Sequence, residues 1–292
     1  MKDAAKLLAY LAATVLFAIV TAPLLFWGAE ALAARGVMPF LAEFGFERFF
    51  RRALLVGALL FFWPLLRWLG VRNFEELGLT KNPGRLRDAG VGFAIAAVPL
   101  LCFGALLLTL GVWSLRGSVP LGGIAERTLS AVVVPFIEEP LFRGLILGVL
   151  LRSLTPTVAV LWTSAFFSIL HFLKAPDDTE AVVTWTSGFS SIANAFVQFS
   201  EPLLVLAGFA TLFLLGWILA EARIRTRSLW LPIGLHSGWI FASALFNKVA
   251  RREMEILPLL GRNLLIGLAP LAVALVSWWI MRTWLEWRAT SR

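Results

Sequence analysis

The sequence predicts an all-α fold, a polytopic transmembrane helical bundle of about eight spans. Of its 292 residues, 59% are hydrophobic and only 15% are charged, which is far from the balance of a soluble domain. The apolar residues recur in runs of roughly 20, the length that a helix needs to cross the hydrocarbon core of a bilayer. Basic residues and many of the 13 Trp lie near the ends of these runs, where they would anchor helices at the membrane interfaces.

The apolar runs, taken in chain order, give the predicted spans. They cover residues 7–32, 53–70, 88–113, 124–150, 156–173, 202–221, 228–248 and 259–285. Residues 33–52 mix charges with Phe and are predicted to lie along the interface, whereas Asn, Gly, Pro and basic residues mark 72–87 as a loop. Residues 174–200 form the longest predicted irregular region. Because no repeat or linker divides the chain, residues 1–292 are predicted to form a single membrane domain.

The basic residues predict a membrane partner and an orientation. A net charge of +8 would favour nucleic acid in a soluble chain, but here the basic residues flank apolar runs. The predicted partner is therefore the lipid bilayer, and no nucleic acid is expected. Alternate loops contain 14 Lys and Arg on the side of both termini and 11 on the other, without the intramembrane Arg143. This bias predicts a multi-pass protein of a bacterial-type cell membrane with both termini in the cytoplasm.

Charges inside the fourth predicted span are the strongest functional signal. Glu138, Glu139 and Arg143 lie within six residues there, although a charge at the bilayer centre costs about 2.5 to 3.5 kcal/mol on insertion scales. Glu139 and Arg143 are four residues apart and are predicted to pair on one helix face. Glu138 is turned from them by about 100°, which leaves it as the candidate general base. Pro140 lacks an N–H and is predicted to loosen the helix beside the carboxylates.

The two histidines of the chain also lie in apolar runs. His171 is near the end of the fifth predicted span and His236 is in the seventh. A lone membrane histidine is commonly a hydrogen-bonding residue between helices, but two of them together with a Glu-Glu pair are better explained by one functional site. The predicted catalytic residues are therefore Glu138, Glu139, His171 and His236.

Three motifs occur in a fixed order: Glu138-Glu139-x-x-x-Arg143, then Phe167-x-x-x-His171, then His236. In this order and inside membrane spans, they resemble the CAAX protease and bacteriocin-processing (CPBP) family of intramembrane peptidases, which includes the type II CAAX prenyl endopeptidases. The resemblance covers about residues 70–250, the predicted catalytic core. Residues 1–52 would add an N-terminal span with an interfacial segment, and residues 251–292 a C-terminal span.

The chain departs from the family pattern at one position. The prenyl endopeptidases carry Asn four residues after the last His, where this chain has Ile240. A side-chain amide that would help to hold an oxyanion is therefore missing, and Ser237 or a backbone N–H is predicted to replace it.

The resemblance implies an endopeptidase that cleaves a peptide bond in a membrane-associated protein or peptide, prenylated substrates included. Glu138 would activate water, His171 would position it or share its proton, and His236 would stabilise the oxyanion, with Arg143, Phe167 and Ser237 in support. Two versions of the mechanism stay open. One needs no cofactor, and in the other zinc is held by Glu138, His171 and His236. The absence of His-Glu-x-x-His favours the first.

Two other functions are compatible with these residues. One is a non-catalytic family relative that acts in immunity or binding, which the exchange at Ile240 would permit. The other is a proton-coupled transporter, because membrane carboxylates and histidines also carry protons. A transporter predicts an inverted repeat of broken helices, and no such repeat is visible in the sequence.

Overall fold

The structure, a computed structural model, describes residues 2–118, 121–172, 182–200, 202–254, 256, 258–261 and 263–290. Two short strands, β1 (Trp113–Leu115) and β2 (Ala250–Arg252), pair antiparallel. The helices are α1 (Lys2–Ala34), α2 (Phe46–Trp68), α3 (Arg85–Thr109), α4 (Leu121–Glu139), α5 (Leu147–Leu150), α6 (Pro156–Phe172), α7 (Ser187–Ala195), α8 (Pro202–Thr226), α9 (Trp230–Val249) and α10 (Leu268–Thr290). Short 3₁₀ turns lie at Pro39–Glu43 and Val197–Ser200, and a π-helical turn at Pro140–Ile146 joins α4 to α5.

The helices confirm the predicted fold class. Each predicted span overlaps a helix, or α4, the π turn and α5 in the case of the fourth. Within the described residues, α1, α2, α3, α8 and α10 are long and apolar enough to cross a membrane, and α6 is a shorter apolar helix. The chain is therefore a multi-pass helical membrane protein, while the count of eight spans stays a prediction.

Three boundaries differ from the predicted ones. Helix α2 begins at Phe46, inside the predicted interfacial segment, because Phe46 and Phe50 are buried in a cluster with α1. Helix α10 begins only at Leu268 because Gly267 has a φ of +132°, which helical backbone does not permit. Helix α7 lies where irregular structure was predicted, and the part of that region at 174–181 is outside the described residues.

The described chain divides into two compact units, and the first contains Met1–Arg72 and Leu170–Glu201. Helices α1 and α2 approach closely at Gly57, where a β-carbon would lie 2.8 Å from the ring of Phe17. Helix α7 packs on α1 through Gly188, where a β-carbon would lie 2.7 Å from the backbone of Ile19. Small residues of this kind are what membrane helices use to bring their backbones together.

The second unit contains Asn73–Ile169 and Pro202–Arg292, and α9 is its central helix. Gly234 and Gly238, one turn apart on α9, lie so close to α3 that a β-carbon at either would overlap the carbonyl of Ala89 or Phe93. This is the small-xxx-small packing of membrane helices. His236 lies midway between the two glycines and is turned by about 200° from each. The packing on α3 therefore directs His236 away from α3 and towards α4.

The segment that precedes α3 fixes the other side of this arrangement. A β-carbon at Gly144, in the π turn, would lie 2.9 Å from the carbonyl oxygen of Leu77. The backbone N–H of Leu229 donates to Gly78 O at 2.8 Å, and the Trp230 indole donates to Thr80 O at 2.8 Å. Residues 77–80 thus contact both the π turn after α4 and the start of α9, and fix one relative to the other.

Candidate active site

The π-helical turn determines how the two carboxylates are presented. Pro140 follows Glu139 directly and begins the turn, which confirms the predicted loosening of the helix at this proline. Single π turns of this kind are frequent at functional sites. The side chain of Glu139 is fully buried, whereas that of Glu138 is 27% exposed. Adjacent residues of one helix therefore supply a fully buried carboxylate and a partly exposed one, whose Oε2 is the buried oxygen.

Glu139 and Arg143 form the predicted ion pair. Arg143 Nη1 donates to Glu139 Oε1 at 2.9 Å, and neither side chain is exposed. Nη2 donates to the carbonyl of Gly216 on α8 at 3.4 Å, and the guanidinium carbon lies 4.3 Å from the centre of the Phe167 ring. A buried charge needs such compensation, because loss of one partner leaves the other uncompensated.

His236 is held by the same carboxylate. Its Nδ1 lies 2.7 Å from Glu139 Oε1. Because Glu139 already accepts from Arg143, we assign it as ionised and place the proton on Nδ1, which donates. The imidazole ring also packs edge-on to Phe167, with 5.9 Å between the ring centres. A carboxylate that holds one ring nitrogen fixes the direction of the other, as in catalytic carboxylate–histidine pairs.

The free nitrogen of His236 is directed at Glu138. His236 Nε2 lies 3.9 Å from Glu138 Oε2, which is too long for a direct hydrogen bond. One water molecule at about 2.8 Å from each atom would bridge them. The arrangement thus places a carboxylate that can accept a proton next to an imidazole nitrogen that donates when the ring is doubly protonated, both beside a single small site.

The other predicted residues are placed as follows. Phe167 is buried and contacts both Arg143 and His236. His171 lies one turn further along α6, on an exposed part of the helix that belongs to the first unit, so its part in the site stays a prediction. Ser237 is half-buried next to His236, and Ile240 lines a cavity one turn beyond His236.

Sequence reasoning missed the hydrogen bond between His236 and Glu139, and it missed two supporting groups. The Phe142 ring packs edge-on to Phe167 with 5.2 Å between centres, and the carbonyl of Gly216 accepts from Arg143. Phe142 could have been found from its position beside Arg143. A backbone carbonyl leaves no signal in a sequence, although Gly216 does allow a close approach of α8 to α6, since a β-carbon there would lie 3.1 Å from the α-carbon of Ser164.

Two of the three predicted zinc ligands face each other. His236 Nε2 and Glu138 Oε2 lie 3.9 Å apart and are donors of the right kind, and catalytic zinc is usually held by three protein ligands. No three His, Cys, Asp or Glu side chains within the described ranges group as metal ligands, and the third predicted ligand, His171, belongs to the first unit. Zinc held by these three residues therefore stays an alternative prediction, and the reaction below is written with protein groups alone.

The comparisons with known proteins cover the part of the chain that contains these residues. Residues 120–242, which include α4, the π turn, α6 and His236, match the family model of the type II CAAX prenyl endopeptidase Rce1-like proteins. An uncharacterized 24.3 kDa protein of Escherichia coli is 24% identical over 219 residues, which cover 72% of this chain and 85% of that protein. No solved structure matches the chain. Residues 120–242 are thus similar to the Rce1-like membrane-embedded proteases, in line with the resemblance seen in the sequence.

Proposed function

We propose that this protein is an intramembrane endopeptidase that hydrolyses a peptide bond of a membrane-associated protein or peptide, in CAAX-type or related processing. One observation carries the proposal. Glu138 Oε2 and His236 Nε2 face each other at 3.9 Å inside the Rce1-like region, and His236 is fixed from behind by the buried Glu139. Such a pair can remove a proton from water on one side and stabilise a developing negative charge on the other.

The proposed reaction has two steps. Glu138 takes a proton from water as the water oxygen attacks the carbonyl carbon, and the carbonyl electron pair moves to oxygen, where the Nε2–H of protonated His236 donates to it. The tetrahedral intermediate then collapses, the C–N bond breaks, and the leaving amine takes the proton that Glu138 had accepted. His171 positions the water or shares its proton. The products are a carboxylic acid and an amine, without a covalent enzyme intermediate.

Glu139 and Arg143 are positioning residues in this scheme. The carboxylate of Glu139 holds Nδ1 of His236 and fixes the direction of Nε2. Arg143 in turn neutralises Glu139 and ties it to α8 through Gly216. Neither residue is required to contact the substrate.

The reaction is proposed to need no cofactor. Metal analysis of the purified protein, with activity before and after chelation, tests this. Stoichiometric zinc together with loss of activity on chelation would replace water activation by Glu138 alone with a metal-bound water.

The proposed setting is a bacterial-type cell membrane with both termini in the cytoplasm, which rests on the uneven distribution of Lys and Arg between the two sets of loops. Reporter fusions to each terminus test the orientation. The natural substrate would be a membrane-associated protein or peptide, prenylated or not, and it should accumulate as a precursor in the membrane proteome of a deletion strain.

The catalytic proposal is tested by Glu138→Gln and His171→Ala in membranes. Each should abolish cleavage while the protein remains expressed and folded, because each removes a group that handles the proton. Glu126→Gln is the matched control, since Glu126 is an exposed carboxylate on the same helix α4, and it should retain activity. Full activity in either Glu138→Gln or His171→Ala would overturn the mechanism.

A further inference from the structure

A cavity of about 620 Å³ lies in the second unit at one end of three long helices. Its wall is formed by the start of α3 with the segment before it, by the end of α8 with the turn that follows, and by the end of α10. This volume is typical of a small-molecule site. The described lining residues include three arginines, Arg225, Arg227 and Arg288, together with Asp88, Asn82 and Gly84.

Two of the arginines are held by carboxylates that leave most of their N–H groups unused. Arg288 Nη1 donates to Asp88 Oδ1 at 2.7 Å, and Asp88 is 2% exposed. Arg225 Nε donates to Glu221 Oε1 at 2.8 Å. A guanidinium has five N–H groups, and neither arginine forms another hydrogen bond with the described part of the chain. The carboxylates therefore orient two guanidinium groups that can still donate to an anion.

The third arginine, Arg227, lies in a strained turn between α8 and α9. Its φ of +53° is the only positive φ at a non-glycine residue within the described ranges. This left-handed conformation is unfavourable for a side chain such as that of Arg, and the turn is held by the Ser228 N–H, which donates to Thr226 Oγ1 at 3.3 Å. No described carboxylate forms an ion pair with Arg227. Strained backbone of this kind is concentrated at ligand sites.

Gly84 leaves open space among these polar groups. A β-carbon there would lie 3.6 Å from Asn82 Oδ1, 3.7 Å from Arg288 Nη2 and 3.8 Å from Asp88 Oδ1. Asn82 Oδ1 is buried and has no hydrogen-bond partner among the described residues. A turn of this amide by 180° would offer Nδ2 as a further donor. The space beside Gly84 is therefore suited to the oxygen atoms of an anion.

The cavity lies at the depth of lipid headgroups. Helices α3, α8 and α10 are long and apolar enough to cross a membrane, so their ends lie at the interface. Leu86 and Trp287, each next to a lining segment, are 75% and 64% exposed and would contact lipid. In the proposed orientation this end faces the cytoplasm, where basic pockets between membrane helices bind phosphate headgroups.

We propose that this cavity binds the phosphate group of an anionic phospholipid through Arg225, Arg227 and Arg288. Asp88 and Glu221 orient two of the guanidinium groups, and the strained turn presents the third. Free phosphate shares this chemistry, but the position at the helix ends and the exposed apolar side chains beside it favour a lipid. The proposal does not depend on the peptidase reaction.

The test follows thermal unfolding of the full-length protein in phosphatidylcholine vesicles with rising fractions of phosphatidylglycerol. Phosphatidylglycerol should raise the unfolding temperature of the wild type, because a ligand that binds the folded state stabilises it. Arg227→Asn should need at least about tenfold more phosphatidylglycerol for the same stabilisation, because hydrogen bonds to charged groups contribute this much. Since Asn tolerates the left-handed conformation, this variant should be at least as stable as wild type in phosphatidylcholine alone.

Further variants separate the site from the general attraction of basic residues to anionic membranes. Lys81→Gln/Arg85→Gln removes two charges near the start of α3 that are outside the described lining, and it should keep the wild-type response. Gly84→Leu keeps every charge but fills the space beside Arg288, so its response should be lost. Gly90→Leu, where a β-carbon would meet nothing within 4 Å, should retain the response.

Two results would overturn the site: a response of Arg227→Asn equal to that of the wild type, or an equal loss of response in Lys81→Gln/Arg85→Gln. Inorganic phosphate added to phosphatidylcholine vesicles distinguishes the two sources of the anion and should not reproduce the stabilisation. Stabilisation by inorganic phosphate that Arg227→Asn abolishes, without stabilisation by phosphatidylglycerol, would overturn the lipid assignment.

Discussion

The two ends of the α4–α9 pair differ in how their charged side chains are paired. At the candidate active site two buried charges form a pair: Glu139 accepts from both Arg143 and His236, and Arg143 also donates to a carbonyl of α8. At the other end, Arg127 and Lys248 line a cavity of about 730 Å³ whose described lining residues include no acidic one. A buried charge must be compensated within the protein, whereas a charge beside an open cavity can be compensated by water or by a ligand. The charges of the first end are therefore fixed by protein groups, and those of the second end are available to a ligand.

The largest expected effect comes from breaking the compensation at the active site. Arg143→Leu removes the partner of Glu139 and leaves a buried carboxylate beside His236, which should cost about 3 to 5 kcal/mol of stability and abolish cleavage. Thermal unfolding in detergent, followed together with activity, measures both. The matched variant Arg152→Leu, in the exposed turn after α5, should unfold within a few degrees of wild type. An Arg143→Leu protein with wild-type stability and activity would show that the pair is dispensable.

The next largest effect should come from displacing α9, which contributes residues to both ends. Gly234→Leu places a large side chain where α9 meets the carbonyl of Ala89 on α3, so α9 must move and carry His236 and the cavity residues with it. Overpacking of this kind costs typically about 1 to 3 kcal/mol of stability, and kcat should fall as well because His236 moves away from Glu138 and Glu139. Gly148→Leu, where a β-carbon would meet nothing within 4 Å, is the control. Wild-type kcat in Gly234→Leu would show that the position of His236 does not depend on the packing of α9 on α3.

The smallest effect concerns Ile240, one turn from His236 and on the wall of the cavity. Ile240→Asn supplies the amide that the related prenyl endopeptidases carry at this position. If that amide helps to hold the oxyanion, kcat should rise by a fewfold, with Ile240→Leu as the control for shape. A fall of kcat in Ile240→Asn alone would show that this chain has replaced the amide by another donor, such as Ser237.

Much of the fold could be predicted from the sequence because membrane spans are long and apolar, and their signal needs no tertiary information. The boundaries were less predictable. Gly267 delays the start of α10 through its backbone conformation, and burial of Phe46 and Phe50 against α1 extends α2 into a charged segment. Both effects depend on contacts or dihedral angles that periodicity does not encode.

The candidate site was also predictable only where its residues lie close together in the sequence. The ion pair of Glu139 with Arg143 follows from a spacing of four residues on one helix, and it is confirmed. The hydrogen bond from His236 to the same carboxylate joins residues 97 positions apart, and no local pattern predicts it. The role of Glu139 therefore changes from the partner of Arg143 alone to the group that also orients His236.

The central claim is that Glu138 performs chemistry and does not serve binding or folding. Its most direct test measures substrate affinity and single-turnover cleavage for wild-type and Glu138→Gln protein in the same vesicles. We predict that the Kd stays within about twofold while the cleavage rate falls by about 10²- to 10⁴-fold, the range of general acid–base catalysis. A cleavage rate within a few-fold of wild type, or a loss of rate fully explained by weaker binding, would contradict the account.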